Sequence, residues 1–137
     1  MFKHIMVPVD LKHADQLDRA LETAANLGKQ FDAPVTYVGV TPETPSATAH
    51  NPTEFEQKLA AFASAQADAH GHAAHAKSYP SLDPSIDLND TLLKAADDLD
   101  ADLIVMASHI PTLADHLWPS HGGQVAKRAK ASVFVVR

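Results

Sequence analysis

The sequence contains no cysteine, few aromatic residues and no long uninterrupted hydrophobic run. Without cysteine, the chain can form neither a disulfide framework nor a zinc site built on thiolates. No apolar stretch approaches the roughly eighteen residues that a membrane-spanning helix requires. The segment Met1–Val7 lacks the apolar core and cleavage site of a signal peptide and leads directly into a strand pattern. We therefore expect a cytoplasmic protein with no membrane partner.

Positive charge is also scarce, because 11 lysine and arginine residues face 17 aspartate and glutamate residues, for a net charge of −6. A protein that binds nucleic acid needs a basic face, so the charge balance argues against nucleic acid as the main partner. The basic residues Lys127, Arg128, Lys130 and Arg137 gather near the end of the chain. They complement the dipole of a helix end or steer an anion, and the sequence leaves both readings open.

Hydrophobic residues make up 45% of the chain, enough for the core of one domain spanning residues 1–137. Strand patterns alternate with helical patterns along the whole sequence, which predicts βαβ units and a parallel sheet. The expected strands are Ile5–Val9, Pro34–Val40, Ala74–Ser78, Leu103–Met106 and Val133–Val136. Near-continuous apolar strands of this kind are typical of an open α/β sheet with helices on both faces.

Four helical patterns connect these strands. The first carries an apolar stripe that ends at Gly28, a natural stop, and the second begins at Asn51-Pro52-Thr53-Glu54, with Asn51 as the N-cap. Residues Tyr79–Pro84 read as a turn region, and Asp87 then caps the third helix. The core face of that helix comprises Leu88, Leu92, Ala95, Ala96 and Leu99.

The fourth helix carries the strongest functional signal, because Ser120-His121-Gly122-Gly123 opens it shortly after a buried strand. A helix N-terminus presents unpaired N–H groups and a partial positive charge, and glycine lets a ligand approach the backbone. In open parallel sheets, ligands bind outside the carboxyl ends of the strands. Asp10, Val40 and Ser108 lie at such ends, so we expect them to share one crevice with Ser120 and to hold a phosphate-bearing ligand.

Three segments resemble the universal stress protein family, most closely its enterobacterial F- and G-type members. They are Val7-Pro8-Val9-Asp10, Leu103–His109 and Ser132–Arg137. The resemblance implies a Rossmann-like sheet of order 3-2-1-4-5, related to the adenine nucleotide α hydrolases. It also implies a homodimer paired through Ser132–Val136, and many members of the family bind ATP.

The chain departs from the phosphate-binding pattern of the nucleotide-binding members, which is Gly-x-x-Gly, nine residues, then Gly-Ser or Gly-Thr. Ala107, Ile110 and Pro119 stand at the three glycine positions, and the loop is one residue shorter. Proline offers no N–H, and isoleucine adds a side chain where glycine would allow close approach. Only Ser120 of the Gly-Ser pair remains, although Gly122 follows it.

The family resemblance assigns ribose to Asp10, adenine to Val40 and phosphates to the two loop regions that follow. The full set of candidate nucleotide-binding residues is Pro8, Val9, Asp10, Val40, Met106, Ser108, His109, Ser120, His121 and Gly122. The ligand would be ATP or AMP, with Mg²⁺ as an accompanying ion. Each position also has a simpler reading: Asp10 as a cap of the next segment, Val40 as an ordinary strand end, and Ser108 as a local loop contact.

Two further readings concern histidine and catalysis. His70, His72 and His75 form the densest of the histidine groups, but their spacing and lack of acidic neighbours favour solvent-facing side chains over a metal site. No nucleophilic triad spacing or Walker motif is present, so we expect at most weak ATP hydrolysis, with His109 or His121 as the base.

The sequence therefore supports two functions. The first is a stress-response sensor or regulator that binds an adenine nucleotide. The second is a dimeric interaction module that has lost nucleotide binding and works through an unidentified protein partner. Asp10 and Ser120 favour the first function, whereas Ile110 and Pro119 favour the second.

Overall fold

Strands and helices alternate throughout the computed structural model, which describes residues 1–46, 48–108 and 118–137. The strands are β1 (Ile5–Pro8), β2 (Val35–Pro42), β3 (Ala74–Ser81), β4 (Leu103–Ala107) and β5 (Ser132–Val136). The helices are α1 (Asp18–Phe31), α2 (Pro52–His70), α3 (Pro84–Asp98) and α4 (Trp118–Arg128). A short 3₁₀ segment, Leu11–Gln16, links β1 to α1. Every strand and helix that the sequence predicts is present.

The strands form one parallel sheet in the order β3-β2-β1-β4-β5, as the resemblance implies. Because parallel strands are joined by right-handed crossovers, α1 and α2 cover one face and α3 and α4 cover the other. Contacts of α1 with α2 and of α3 with α4 agree with this arrangement. The centre of the sheet is completely buried, including Ile5, Val35 and Ile104. No helix of the described residues is both long and apolar enough to cross a membrane.

Several predicted boundaries are wrong, among them those of α1, β3 and α3. Helix α1 runs through Gly28 and ends at Phe31, and β3 continues past Ser78 so that Tyr79 belongs to the strand. Helix α3 begins at Pro84, which leaves Asp87 in its first turn instead of at its cap. The predicted core face of α3 is correct in position, with its central residues buried and its ends partly buried.

The predicted start of α2 is confirmed. The Asn51 side chain accepts a hydrogen bond from the Glu54 N–H at 2.8 Å, and Pro52 occupies the first turn. The Glu54 carboxylate in turn accepts from the His50 N–H at 2.9 Å. This hydrogen bond lowers the pKa of Glu54, with Lys58 contributing to the same effect. The reciprocal bonds fix the point where the chain leaves the β2 loop and enters the helix.

One of the three clustered histidines is buried, contrary to the prediction of solvent-facing side chains. His72 lies just after α2, and its Nε2 is 2.9 Å from the Tyr37 hydroxyl on β2. Its Nδ1 is buried without a hydrogen-bond partner. Burial lowers the pKa of His72, and the nearby His70 and Lys29 lower it further. Burial also raises the pKa of the Tyr37 hydroxyl, which therefore stays protonated. Among the described residues, no three His, Asp or Glu side chains form a group that could hold a metal ion.

The buried His72 predicts that the protein loses stability as the pH falls. The folded state holds His72 neutral, whereas the unfolded chain protonates it near its ordinary pKa of about 6.5. The stability that the neutral His72 contributes is therefore complete above that pH, and it is lost as the pH falls toward the lower pKa of the folded state. We expect the melting temperature to fall between pH 7.5 and 5.5, and to fall less steeply in His72→Gln. The exposed His75→Gln is the control and should keep the wild-type slope; equal slopes in all three proteins would contradict the prediction.

Candidate functional site

The pairing of β1 with β4 stops at Met6, which marks the position of the crevice expected in an open sheet of this kind, and Pro8 explains why the pairing stops there. The pairing of these strands consists of Ile5 with Leu103 and Met6 with Ile104. The Ile5 N–H donates to the Pro34 carbonyl on the β2 side, so strand alternation turns the main chain of Pro8 toward β4. Proline has no N–H to continue that ladder. This position is also where the strand order reverses, because β1 leads to β2 on one side and β3 leads to β4 on the other.

The main chain of Val40 faces the same opening. On β2, the Val38 carbonyl accepts from the Val9 N–H at 2.8 Å, so Val38 faces β1. Val40, two residues further on, faces the same way, but β1 has already ended at Pro8. Its N–H and C=O therefore point past the end of the neighbouring strand, an arrangement that suits hydrogen bonds to the edge of a planar ligand. The Val40 side chain is half-buried.

Asp10 caps the 3₁₀ segment that follows β1, as its simpler reading predicts. Its Oδ1 accepts from the Lys12 N–H at 3.1 Å, and its Oδ2 lies 2.9 Å from Nδ1 of His13. The Asp10 side chain keeps 35% of its surface exposed, against 14% for His13. Each carboxylate oxygen has a second lone pair, so capping leaves acceptor capacity for a ligand. The ligand contact itself remains a prediction.

The other candidates on the strands differ in exposure. Pro8, Val9 and Met106 are buried, and Met106 is only 1% exposed, so it would reach a ligand through its edge or main chain. Ser108 is half-buried, and its N–H donates to the Val136 carbonyl of β5 at 2.8 Å. That bond occupies the Ser108 N–H and fixes the chain at the carboxyl end of β4, so the hydroxyl is the group left for a ligand.

Helix α4 begins at Trp118, two residues before the predicted start at Ser120. In such a helix the N–H of Gly122 falls opposite the carbonyl of Trp118, and that of Gly123 falls opposite the carbonyl of Pro119. The donors without intrahelical acceptors are those of the first turn, to which Ser120 belongs. His121 and Gly122 are the fourth and fifth residues of α4, whereas the sequence predicted that they open the helix.

His109 and Ile110 lie outside the described residues. The structure adds one candidate that the sequence reading did not single out, His13, which pairs with Asp10 beside the crevice. The spacing of three residues between Asp10 and His13 is visible in the sequence. It becomes meaningful only with the 3₁₀ turn that brings the two side chains together.

Comparison with known proteins shows similarity to one family over the whole chain. The sequence profile of the universal stress protein family matches residues 1–137. Universal stress protein G of Salmonella typhimurium is 28% identical, with complete coverage of both chains, and the protein of that name in Escherichia coli O157:H7 has the same identity and coverage.

Solved structures of universal stress proteins share the fold. A universal stress protein in complex with cAMP superimposes with a TM-score of 0.72 at 21% identity, covering 99% of this chain and 97% of that one. The Archaeoglobus fulgidus protein in complex with dAMP gives 0.71 at 21% identity, covering 98% of both chains. With a family profile that spans every residue, the chain belongs to the universal stress protein family.

Proposed function

We propose that this protein is a small cytoplasmic regulator of the stress response that binds an adenine nucleotide in the crevice between β1 and β4. The observation that carries the proposal is the opening created by Pro8, with the main chain of Val40 and the partly exposed carboxylate of Asp10 at its edge. Related proteins of the same fold have been solved with cAMP and dAMP, which supports adenine as the base.

In this proposal, different residues contact the base, the ribose and the phosphates of the ligand. Val40 presents an N–H and a C=O to the adenine edge, and Pro8, Val9 and Met106 form the apolar wall beside it. Asp10 accepts from ribose hydroxyls. The phosphates lie toward the Ser108 hydroxyl and the first turn of α4 at Ser120, with His109, His121 and Gly122 as further candidates. ATP or AMP fits this division, and Mg²⁺ would accompany ATP as a counter-ion to its phosphates.

We further propose that the protein is a homodimer paired through β5. The two edges of the sheet are built differently: β3 carries Lys77 and Pro80, both exposed, which discourage pairing with another chain. β5 carries neither a charge nor a proline, and Phe134 and Val135 are 46% and 38% exposed. An unprotected edge with exposed apolar side chains is typical of a strand that pairs in the assembled protein.

A second candidate function has one observation in its favour. Leu82 lies between β3 and α3 and is 85% exposed, and Ile86, in the first turn of α3, is 78% exposed. Exposed apolar pairs of this kind favour a protein surface. With Ile110 and Pro119 in place of glycines, they support an interaction module that works through a protein partner without a nucleotide.

Isothermal titration of the nucleotide-stripped protein with ATP and Mg²⁺, AMP and GTP separates the two functions. We expect micromolar binding that prefers the adenine nucleotides. Replacing Asp10 with alanine should weaken it at least about tenfold, the loss of roughly 1.4 kcal/mol, because the ribose then loses its acceptor. The heat of binding and a thermal shift measured on the same samples report the loss.

Asp15→Ala is the matched control, because it removes the same charge from an exposed position in the same 3₁₀ segment. It should bind like the wild type. Nucleotide affinity that is unchanged in Asp10→Ala would contradict the site. No binding by a folded wild-type protein would contradict nucleotide binding altogether and favour the interaction module.

A further inference from the structure

A concave surface lies between the 3₁₀ segment and α2. It is an open groove with a volume of about 460 Å³, within the range of small-molecule sites. We call it the α2 groove, and its lining consists of Leu11, Lys12, Ala14, Thr48, Lys58 and Phe62. None of these residues is among the candidates for nucleotide binding.

The α2 groove has an apolar part and a polar part. Leu11, Ala14 and the half-buried ring of Phe62 form its apolar part. The Phe62 ring is held in place by an edge-to-face contact with Tyr37, with ring centroids 5.5 Å apart. An apolar surface fixed in this way offers a rigid contact for an alkyl or aryl group.

Two lysines supply the polar part. Lys12 is exposed, and Lys58 keeps 51% of its side chain exposed while its ammonium lies 3.3 Å from Glu54 and donates to the Thr48 carbonyl. Glu54 neutralises part of this charge, and Lys12 adds a second cation. The chain has a net charge of −6, whereas these two ammonium groups make the groove locally positive. Such a pair complements a phosphate group.

We propose that the α2 groove binds an amphipathic organic phosphate, with its apolar body against Leu11, Ala14 and Phe62 and its phosphate between Lys12 and Lys58. The volume suits a single small molecule, since a protein segment would need a larger and more extended surface. Because none of the lining residues is a candidate for nucleotide binding, we expect the two ligands to bind without displacing each other.

Titration of the isotope-labelled wild-type protein with n-octyl phosphate, below its micelle concentration, tests the proposal by NMR. We expect saturable shifts of the amide signals of Leu11, Ala14 and Phe62. The double variant Lys12→Gln/Lys58→Gln should bind at least about tenfold more weakly, because both charge-assisted contacts are lost. The charge-matched double variant Lys77→Gln/Lys127→Gln alters exposed lysines elsewhere and should bind like the wild type.

A second variant tests the apolar part without changing charge. Ala14→Leu fills the groove and should also weaken octyl phosphate at least about tenfold, with both lysines still present. If inorganic phosphate bound as tightly as octyl phosphate, the alkyl group would contribute nothing to binding, and the proposal of an amphipathic ligand would be overturned. Unchanged affinity in Lys12→Gln/Lys58→Gln would overturn the phosphate position. Displacement of octyl phosphate by ATP would overturn the separation of the two sites, while leaving the nucleotide proposal intact.

Discussion

Replacing Gly39 with valine is expected to lower the free energy of unfolding by about 3 kcal/mol, at the upper end for overpacking a core. A Cβ atom at this position of β2 would lie 2.7 Å from Cε1 and Cζ of the Phe55 ring and 3.2 Å from Cδ2 of Leu59. Both side chains are buried on α2, so neither can move into solvent. Gly39→Ala should already cost about 1–2 kcal/mol. Urea denaturation followed by circular dichroism measures both losses.

Gly123→Ala is the matched control, since a Cβ there meets no atom within 4 Å and the residue is exposed on α4. A helical glycine costs roughly 0.5–1 kcal/mol relative to alanine, so this variant should be slightly more stable than the wild type. A double variant, Gly39→Ala with Phe55→Leu, should recover part of the lost stability because the smaller side chain relieves the contact. A neutral Gly39→Ala variant would show that α2 does not pack on β2 as described.

The close packing at Gly39 also bears on the crevice. Val40 is the next residue of the same strand, and its main chain faces the opening beyond Pro8. If α2 moves away from β2 to admit a side chain at Gly39, the end of β2 moves with it. We therefore expect Gly39→Ala to perturb nucleotide binding as well as stability, although Gly39 touches no ligand.

The sheet and its order could be predicted because the signals for them are repeated along the chain. Five apolar strand patterns separated by helical patterns leave few arrangements open, and right-handed crossovers restrict these further. The start of α2 was equally legible, since Asn51, Pro52 and Glu54 each carry an independent local signal and the structure uses all three.

The helix and strand ends that were predicted wrongly are those that depend on tertiary packing. Gly28 resembles a helix stop, yet a Cβ there would lie 3.0 Å from both the Ala33 carbonyl and Val35 Cγ2, so the glycine permits close packing of α1 against the start of β2. The helix ends instead at Phe31, and the next residue, Asp32, caps it in a left-handed conformation with φ of 53°. Likewise, β3 extends to Ser81 because β2 provides a partner as far as Pro42.

The candidate site likewise combines features that local sequence signals predict with features that depend on tertiary packing. Pro8, Asp10 and Val40 were predicted to lie at strand ends, and the structure puts Pro8 at the end of β1, Asp10 just beyond it and Val40 two residues before the end of β2. The pairing of Asp10 with His13 depends on a 3₁₀ turn for which no signal was recognised. The α2 groove could not be predicted, because Lys12 and Lys58 are distant in sequence and line one groove only through the packing of α2.

Replacing Val135 with proline is expected to convert the proposed dimer to monomers without unfolding the chain. The Ser132 N–H donates to Asp102, and the Val136 carbonyl accepts from Ser108, so these two residues of β5 face β4. Alternation then turns the N–H of Val135 to the free edge, where a second copy would pair with it. Proline removes that donor while leaving the ladder to β4 intact.

Two further substitutions make the test specific to the strand edge. Val135→Thr keeps the N–H and the β-branched shape, so it should remain dimeric. Phe134→Pro places the same proline one residue earlier, where alternation points the N–H toward β4, and it should destabilise the monomer itself. Sedimentation equilibrium measures the mass, and circular dichroism measures the fold. A wild-type protein with the mass of one chain, or a Val135→Pro variant that stays dimeric, would contradict pairing through β5, because each result requires an interface that does not use the outward N–H groups of this strand.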